Sequence, residues 1–220
     1  MAENDTKKKI KRIAVGLFQE NGFENVTINE ICEKSGINKH TFYYYFKSKD
    51  ELLKDYYEFP YEMDTEYFVE ILNAPNYVEQ LWISYKPFLD YIKASGKEIA
   101  RQLFIKNVMH DVGTFRGGHK KQHAHLRLQK DIIEKGQAAG EMRNMTDPEN
   151  LCVIVQQMFM STVFLWCMTR GEFDIIRFLR GDIEMIVDAK PELRKYPDLK
   201  LHDIWKAEYK EKPDGESQGN

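Results

Sequence analysis

The chain has few cysteines, and their placement excludes two classes of small domain. Cys32, Cys152 and Cys167 are the only three in 220 residues, and no two of them form a Cys-x-x-Cys pair. Disulfide-rich secreted scaffolds and cysteine-based zinc modules need closely spaced or paired cysteines. The charged N-terminus also lacks the apolar segment of a signal peptide. We therefore predict a protein of the reducing cytoplasm.

The sequence also lacks the linear motifs of common enzyme classes and an apolar run of bilayer length. It contains no Gly-Lys-Ser/Thr phosphate loop and no His-Glu-x-x-His zinc motif. Its one Gly-x-Ser-x-Gly spacing, at 215–219, lies in a terminal segment too polar to fold into a strand–turn–helix elbow. The most apolar stretch is interrupted by Gln156-Gln157, short of the roughly 20 residues that a bilayer requires. We therefore predict no catalysis, no cofactor and no membrane span.

Residues 27–52 contain two short helices around a glycine turn. Thr27 and Glu30 have the spacing of a capping box, in which each side chain satisfies a free backbone N–H of the first turn. Gly36 accepts the left-handed conformation of a helix stop, and Asn38 is a favourable N-cap for the next helix. Upstream, apolar residues at helical spacing end at Asn21-Gly22. The sequence therefore predicts a three-helix unit with a helix-turn-helix.

The second of these short helices has one apolar and one cationic face. Phe42 and Phe46 are predicted to point into a small core. The opposite residues are linked by three- and four-residue steps: Lys39, His40, Tyr43, Tyr44 and Lys47. Hydrogen-bond donors and flat aromatic rings on an exposed helix suit phosphate oxygens and base edges in a major groove. An ordinary helical bundle does not account for lysines and a histidine interleaved with tyrosines, so we predict DNA binding.

Residues 10–53 resemble the DNA-binding domain of the TetR family of transcriptional regulators. The motifs that carry the resemblance are Leu17-Phe18, Asn21-Gly22-Phe23, Gly36-Ile37-Asn38, Thr41-Phe42-Tyr43-Tyr44-Tyr45-Phe46 and Lys47-Ser48-Lys49. The resemblance implies phosphate contacts at Thr27, Tyr43, Tyr45 and Lys49, and base-reading positions at Asn29, Lys39, His40, Thr41 and Tyr44. Tyr45 is equally well interpreted as a packing residue, because aromatic side chains divide between cores and interfaces.

The rest of the chain has no alternating strand pattern, and glycines and prolines separate segments of helical length. We predict an all-α protein with a DNA-binding domain at 1–53, a larger helical domain for effector binding and dimerisation at 54–195, and a partly disordered extension at 196–220. The predicted helices of the larger domain are 52–72, 76–95, 97–113, 119–139, 147–169 and 173–188.

The last two predicted helices have apolar residues on more than one face. A helix in a small domain needs only one apolar face, so the second indicates a partner subunit. We predict a four-helix homodimer interface, which the TetR resemblance also implies. Its predicted residues are Leu151, Ile154, Met158, Thr162, Leu165, Ile176, Leu179 and Ile183.

Aromatic and sulfur-containing residues of the larger domain are candidates for lining an effector pocket. The predicted set is Trp82, Tyr85, Phe104, Met158 and Phe159, each of which is also compatible with ordinary core packing. His119 and His123 lie one helical turn apart, but Lys120 and Lys121 disfavour a bound cation, and we predict no metal. The overall hypothesis is a dimeric repressor that binds a double-stranded operator under small-molecule control. The alternative is a regulator or adaptor controlled by a protein partner.

Overall fold

The computed structural model describes residues 2–57, 65–110, 120–169, 172–200 and 202. These residues form helices without a β-strand, as predicted from the sequence, and Met142 and Ala189 make an isolated antiparallel bridge. The α-helices are α1 (Ala2–Asn21), α2 (Ile28–Ser35), α3 (Lys39–Tyr45), α4 (Thr65–Asn73), α5 (Tyr77–Ser84), α6 (Lys86–His110), α7 (Lys120–Ala138), α8 (Pro148–Met168) and α9 (Ile175–Ile186). Two 3-10 helices span Asp50–Tyr57 and Pro191–Leu193.

The chain divides into two compact units whose boundaries differ from those of the predicted domains. The first unit contains 1–75 and 79–129, and the second contains 76–78 and 130–220. The first unit extends far beyond residue 53 because Ile99 of α6 is fully buried in the same core as Phe18, Phe42 and Leu52. The first three helices therefore share their core with α6.

The helices that follow residue 50 differ in extent from the predicted ones. A single helix was expected over 52–72, whereas a 3-10 helix ends at Tyr57 and α4 begins at Thr65, with 58–64 outside the described residues. The expected helix 76–95 is broken between Ser84 and Lys86. Pro87 explains the break, because it has no N–H to continue the hydrogen-bond ladder of α5. The stop expected at Ser95-Gly96 is a local departure from helical geometry inside α6, with Gly96 at φ 72° and ψ 168°.

In the second unit, α8 and α9 pack together as a helical hairpin. Asp147 caps α8 by accepting hydrogen bonds from the backbone N–H groups of Glu149 and Asn150, at 3.0 and 3.1 Å. In the middle of the hairpin, the hydroxyl of Thr162 donates to the carboxylate of Asp182 at 2.7 Å. By length and composition α8 could cross a membrane, but a core helix of a helical unit passes the same test. These contacts identify α8 as such a core helix.

Residues 195–200, at the start of the predicted C-terminal extension, contact α9. The backbone N–H of Lys195 donates to Glu184 at 2.9 Å, and the same carboxylate accepts from the buried guanidinium of Arg180. Leu199 lies directly over Gly181, where an added Cβ would come within 2.1 Å of its methyl group. Residues 201 and 203–220 are outside the described part of the chain.

Candidate nucleic-acid interface

The capping box predicted at the start of α2 is present. The hydroxyl of Thr27 accepts from the N–H of Glu30 at 3.2 Å and donates to its carboxylate at 2.9 Å, and the N–H of Thr27 donates to that carboxylate at 2.7 Å. These bonds, with the one from the Thr27 backbone contributing most, lower the pKa of Glu30. A phosphate approaching Thr27 would therefore meet an ionised carboxylate, which weakens the case for Thr27 as a phosphate contact.

The turn into α3 also follows the sequence prediction. Gly36 ends α2 in the left-handed region, at φ 67° and ψ 36°. The side chain of Asn38 caps α3 by accepting from the N–H of Thr41 at 2.8 Å and from its hydroxyl at 3.0 Å. The only hydroxyl proton of Thr41 is therefore engaged locally, so in a DNA complex this side chain would be available as an acceptor or through its methyl group.

The two faces of α3 are separated as expected. Phe42 and Phe46 are buried at 0% and 3% exposure, whereas Tyr43 and Tyr44 are 52% and 67% exposed. The predicted base-reading residues are on the surface: Asn29 of α2 and Lys39 and His40 of α3 are all exposed, and Thr41 is half-buried. Two adjacent exposed tyrosines beside a lysine and a histidine form a surface with hydrogen-bond donors and flat rings. We call Lys39, His40, Tyr43 and Tyr44 the α3 face.

Tyr45 does not belong to the α3 face. Its half-buried ring packs against the core that contains Phe42 and Phe46. Its ring centre is 4.9 Å from that of Tyr44, in an edge-to-face arrangement. Of the two interpretations that the sequence left open, the geometry favours packing, with Tyr45 holding Tyr44 in place.

Lys49, a predicted phosphate contact, is engaged within its own chain. Its ammonium donates to the carbonyl oxygens of Phe23 at 2.6 Å and Val26 at 2.9 Å, with Glu24 O at 3.4 Å. It also lies 4.4 Å from the centre of the Phe23 ring. An ammonium has three donors, and these carbonyls take them up. Lys49 therefore joins the start of the 3-10 helix to the α1–α2 loop, a positioning role that the linear sequence does not reveal.

Sequence reasoning missed a second cationic surface, on α1. Lys8, Lys11 and Arg12 line an open groove of about 530 Å³ together with Val15, Gly16, Gln19 and Ala94. The run Lys7-Lys8-Lys9 before Lys11-Arg12 was the available signal. Positive charge on a helix of the DNA-binding core adds to the local potential, even though the whole chain has a net charge of −3.

The predicted pocket residues are divided between the two units. Trp82 and Phe104 are half-buried and Tyr85 is 4% exposed in the first unit. In the second unit, Phe159 is 5% exposed and Met158 is 36% exposed. Each unit therefore has its own candidates, and their role in ligand binding stays a prediction.

The predicted dimer residues are not all available to a partner. Leu151, Thr162, Leu179 and Ile183 are at most 3% exposed within one chain, because they form the packing between α8 and α9. Ile154 and Met158 are exposed, and Leu165 and Ile176 are half-buried. The sequence pattern identified two apolar faces on α8 but did not distinguish the inner face from the outer one. The other exposed apolar residues of α8 are Val153, Phe164 and Met168.

The histidines considered for metal binding lie mostly outside the described region. His110 is exposed at the end of α6, residues 111–119 are not described, and nothing is described of the His123 side chain. Among the described residues, no group of three potential ligands is arranged to hold a metal ion.

Comparison with known proteins identifies the N-terminal segment. The profile of bacterial regulatory proteins of the tetR family matches residues 12–56. An uncharacterised HTH-type transcriptional regulator of Bacillus subtilis, YerO, is 44% identical over 50 residues, which are 23% of this chain and 17% of that protein. The transposon Tn10 TetC protein of Escherichia coli is 32% identical over 97 residues, 44% of this chain and 48% of that protein. The chain thus matches less than half the length of these two relatives.

Solved structures share the fold over most of the chain. The transcriptional regulator FadR of Bacillus subtilis, crystallised with stearoyl-CoA, has a TM-score of 0.57 at 18% identity and covers 82% of this chain and 97% of its own. The fatty acid degradation regulator FadR of Bacillus halodurans has a TM-score of 0.55 at 15% identity, covering 83% and 94%. Residues 12–56 thus match the N-terminal domain of the bacterial regulatory proteins of the tetR family, and the solved structures share the fold of the chain.

Proposed function

We propose that this chain is a transcriptional regulator that represses its target genes by binding a double-stranded operator. The observation that carries the proposal is the α3 face, in which Tyr43 and Tyr44 are more than half exposed beside Lys39 and His40. The N-terminal residues of a recognition helix contact base edges when the helix lies in the major groove. Lys39 and His40 occupy these positions, so we assign base contacts to them and to Tyr44, and we assign a phosphate contact to Tyr43.

We propose that the regulator acts as a homodimer through the outer face of α8. Ile154, Met158 and Met168 are 42%, 36% and 64% exposed and lie on one side of the helix. An apolar stripe along a surface helix favours a two-fold contact with the same stripe of a second copy. A symmetric dimer would read a palindromic operator.

The contacts of α6 with α1 and with the 3-10 helix Asp50–Tyr57 support small-molecule control. Ile99 of α6 completes the DNA-binding core, and Lys106 forms an ion pair with Asp50 at 2.6 Å. The side-chain amide of Gln19 in α1 donates to the carbonyl of Ser95, at 2.9 Å, just before the break at Gly96. A ligand that favours one position of α6 would thus favour one arrangement of the DNA-binding helices. FadR of Bacillus subtilis, crystallised with stearoyl-CoA, has a related fold, which supports control by a ligand without identifying it.

Fluorescence anisotropy with duplex DNA from the region upstream of the gene, titrated at several salt concentrations, tests the proposal. Wild-type protein should bind with an affinity that falls steeply as salt increases. Tyr43→Ala should weaken binding to all sequences alike, as expected for one lost phosphate contact, with little change in the slope of log affinity against log salt, because a neutral hydroxyl displaces no counterion. His40→Ala should change the preferred sequence with little change in slope.

Two lysine variants distinguish a lysine that contacts DNA from a lysine that stabilises the fold. Lys39→Ala should weaken DNA binding directly, whereas Lys49→Met should lower the melting temperature of the first unit and leave the salt slope of the folded protein unchanged. Lys93→Ala, which removes an exposed lysine of α6, is the matched control. Two results would refute the proposed docking face. One is DNA binding that is independent of salt and equally tight in all variants, and the other is wild-type protein that does not bind duplex DNA.

A second candidate function is that of a regulator or adaptor controlled by a protein partner. The observation in its favour is an exposed apolar surface on α4, where Phe68, Val69 and Leu72 are 46%, 49% and 80% exposed. Exposed apolar residues clustered on one helix are typical of a protein-binding surface. This candidate would be rejected if the Leu72→Glu variant still bound DNA in a salt-dependent, sequence-selective way and a small molecule still changed that binding.

A further inference from the structure

His125 is a buried polar residue without hydrogen-bond partners. It lies on α7 in the first unit and is 7% exposed. Neither Nδ1 nor Nε2 has a hydrogen-bond partner among the residues that the structure describes. Burial alone lowers the pKa of His125 to about 4, so the ring is neutral and offers one N–H donor and one acceptor.

The surroundings of His125 are aromatic. The ring of Phe88 is 5.0 Å away and that of Tyr85 is 6.2 Å away, both edge-to-face with the imidazole. One turn further along α7, Gln129 is equally buried, yet its amide donates to the hydroxyl of Ser84 at 3.2 Å. That hydroxyl donates in turn to the carbonyl of Leu81 at 2.7 Å. This neighbouring network is satisfied, in contrast to the imidazole.

A buried imidazole without partners is unfavourable for stability. On burial the imidazole loses two hydrogen bonds that it would make with water in the unfolded chain. A leucine at this position would lose none. The favourable edge-to-face contacts with Tyr85 and Phe88 do not require ring nitrogens, because a phenylalanine would make them as well. No described residue supplies these hydrogen bonds, so the two nitrogens are available to a molecule that enters the site.

We propose that His125, Tyr85 and Phe88 form the hydrogen-bonding end of an effector site in the first unit. The ligand is an uncharged, mainly apolar molecule with one hydroxyl or carbonyl group. The inference rests on the proposed control by a small molecule and specifies its chemistry. The aromatic rings accommodate a flat apolar body, and the imidazole pairs with the single polar group. A charged group is disfavoured because burial, and no charge of a described residue, dominates the surroundings of His125.

Three probes of similar size test this chemistry on the full-length protein: phenol, toluene and benzoate. Binding is measured at pH 8 by titration calorimetry. Phenol should bind about fivefold more tightly than toluene, the ratio expected for one net hydrogen bond. Benzoate should bind at least about tenfold more weakly than phenol, because its charge would be buried without a partner.

Substitutions test whether the preference for phenol over toluene depends on the His125 side chain. In His125→Leu the phenol-to-toluene ratio should fall to about one, since toluene needs no hydrogen bond. His110→Leu removes an exposed histidine of α6 in the same unit and should keep the wild-type ratio. Should His125→Leu fail to fold, the ¹⁵N chemical shifts of the wild-type imidazole provide the second measurement, and phenol but not toluene should move them.

Several results would overturn the inference: no phenol binding to wild-type protein, a phenol preference that survives His125→Leu, or benzoate binding more tightly than phenol. Operator binding measured by fluorescence anisotropy, without phenol, toluene or benzoate, separates failure of this inference from failure of the proposed function. Wild-type protein that binds its operator but not phenol retains the regulatory function and loses this effector site. Wild-type protein that binds no duplex DNA refutes the regulatory function itself.

Discussion

At the scale of single residues, His125 should make stability depend on pH. Its folded pKa of about 4 is below the ordinary value of 6.5, so the unfolded chain binds the proton more tightly. Stability should therefore be fully present above about pH 6.5 and decrease as the pH falls toward 4. The difference of about 2.5 pKa units corresponds to a loss of about 3 kcal/mol at most.

Thermal unfolding followed between pH 8 and pH 4, under a buffer series of constant ionic strength, measures this dependence. His125→Leu should show a smaller decrease of melting temperature across the window, because it cannot take up the proton in the unfolded chain. His110→Leu should follow the wild-type curve. Parallel curves for wild type and His125→Leu would mean that the imidazole is already hydrated or hydrogen-bonded in the folded protein.

Residues of the DNA-binding helices show which features a sequence can predict. The bonds of Thr27 with Glu30 and of Asn38 with Thr41 span three positions, so their spacing is visible in the linear chain. The partners of Lys49 are backbone carbonyls 23 to 26 positions away, and carbonyls have no sequence signature. The role of Lys49 was therefore predicted from family position alone and differs from its observed contacts.

At the scale of secondary structure, the hairpin of α8 and α9 depends on one buried polar pair. Asp182 is 6% exposed, and burial raises the pKa of its carboxyl group, although the hydrogen bond from Thr162 opposes the shift. A raised folded pKa means that the contribution to stability is complete at low pH and decreases as pH rises through that pKa. The ionised carboxylate is therefore a cost at neutral pH that the Thr162 hydroxyl reduces.

Two substitutions should have opposite effects on the unfolding free energy at pH 8. Thr162→Val removes the donor and leaves the carboxylate unpaired, which should destabilise the protein by about 1–3 kcal/mol. Asp182→Asn keeps an acceptor for Thr162 without a charge and should stabilise it, with less dependence on pH. Urea denaturation monitored by circular dichroism gives both values. Destabilisation by Asp182→Asn would show that the charge itself is needed in the hairpin.

Helix positions were predicted well where the sequence contains its own start and stop signals. The interval 147–169 agrees with α8 because Asp147-Pro148 begins that helix in the sequence and in the structure. The break before Pro87 was missed, because apolar residues continue at helical spacing across it. The 3-10 geometry of Asp50–Tyr57 was also missed, since α and 3-10 turns share the same capping residues.

At the scale of the whole molecule, the proposed dimer depends on the outer face of α8. Apolar periodicity predicted two buried faces on this helix. A face that is buried within one chain and a face that is buried between chains have the same apolar periodicity, so the sequence does not distinguish them. The structure separates them: Leu151 and Val155 are buried inside the unit, whereas Ile154 and Met158 are exposed. The outer face is the part available to a second copy.

A charge at the centre of that face should prevent assembly. In sedimentation velocity the wild-type protein should behave as twice its chain mass of 26.0 kDa, and Met158→Glu as a single chain. Met145→Glu is the matched control, because Met145 is 72% exposed in the same unit but lies before α8. Loss of the second DNA-binding domain should also weaken binding to a palindromic operator by on the order of 10²-fold, because the two half-sites would no longer be linked. A wild-type protein of single-chain mass would refute the proposed dimer. A Met158→Glu variant that still dimerises and binds its operator as tightly would place the symmetric contact elsewhere on the molecule.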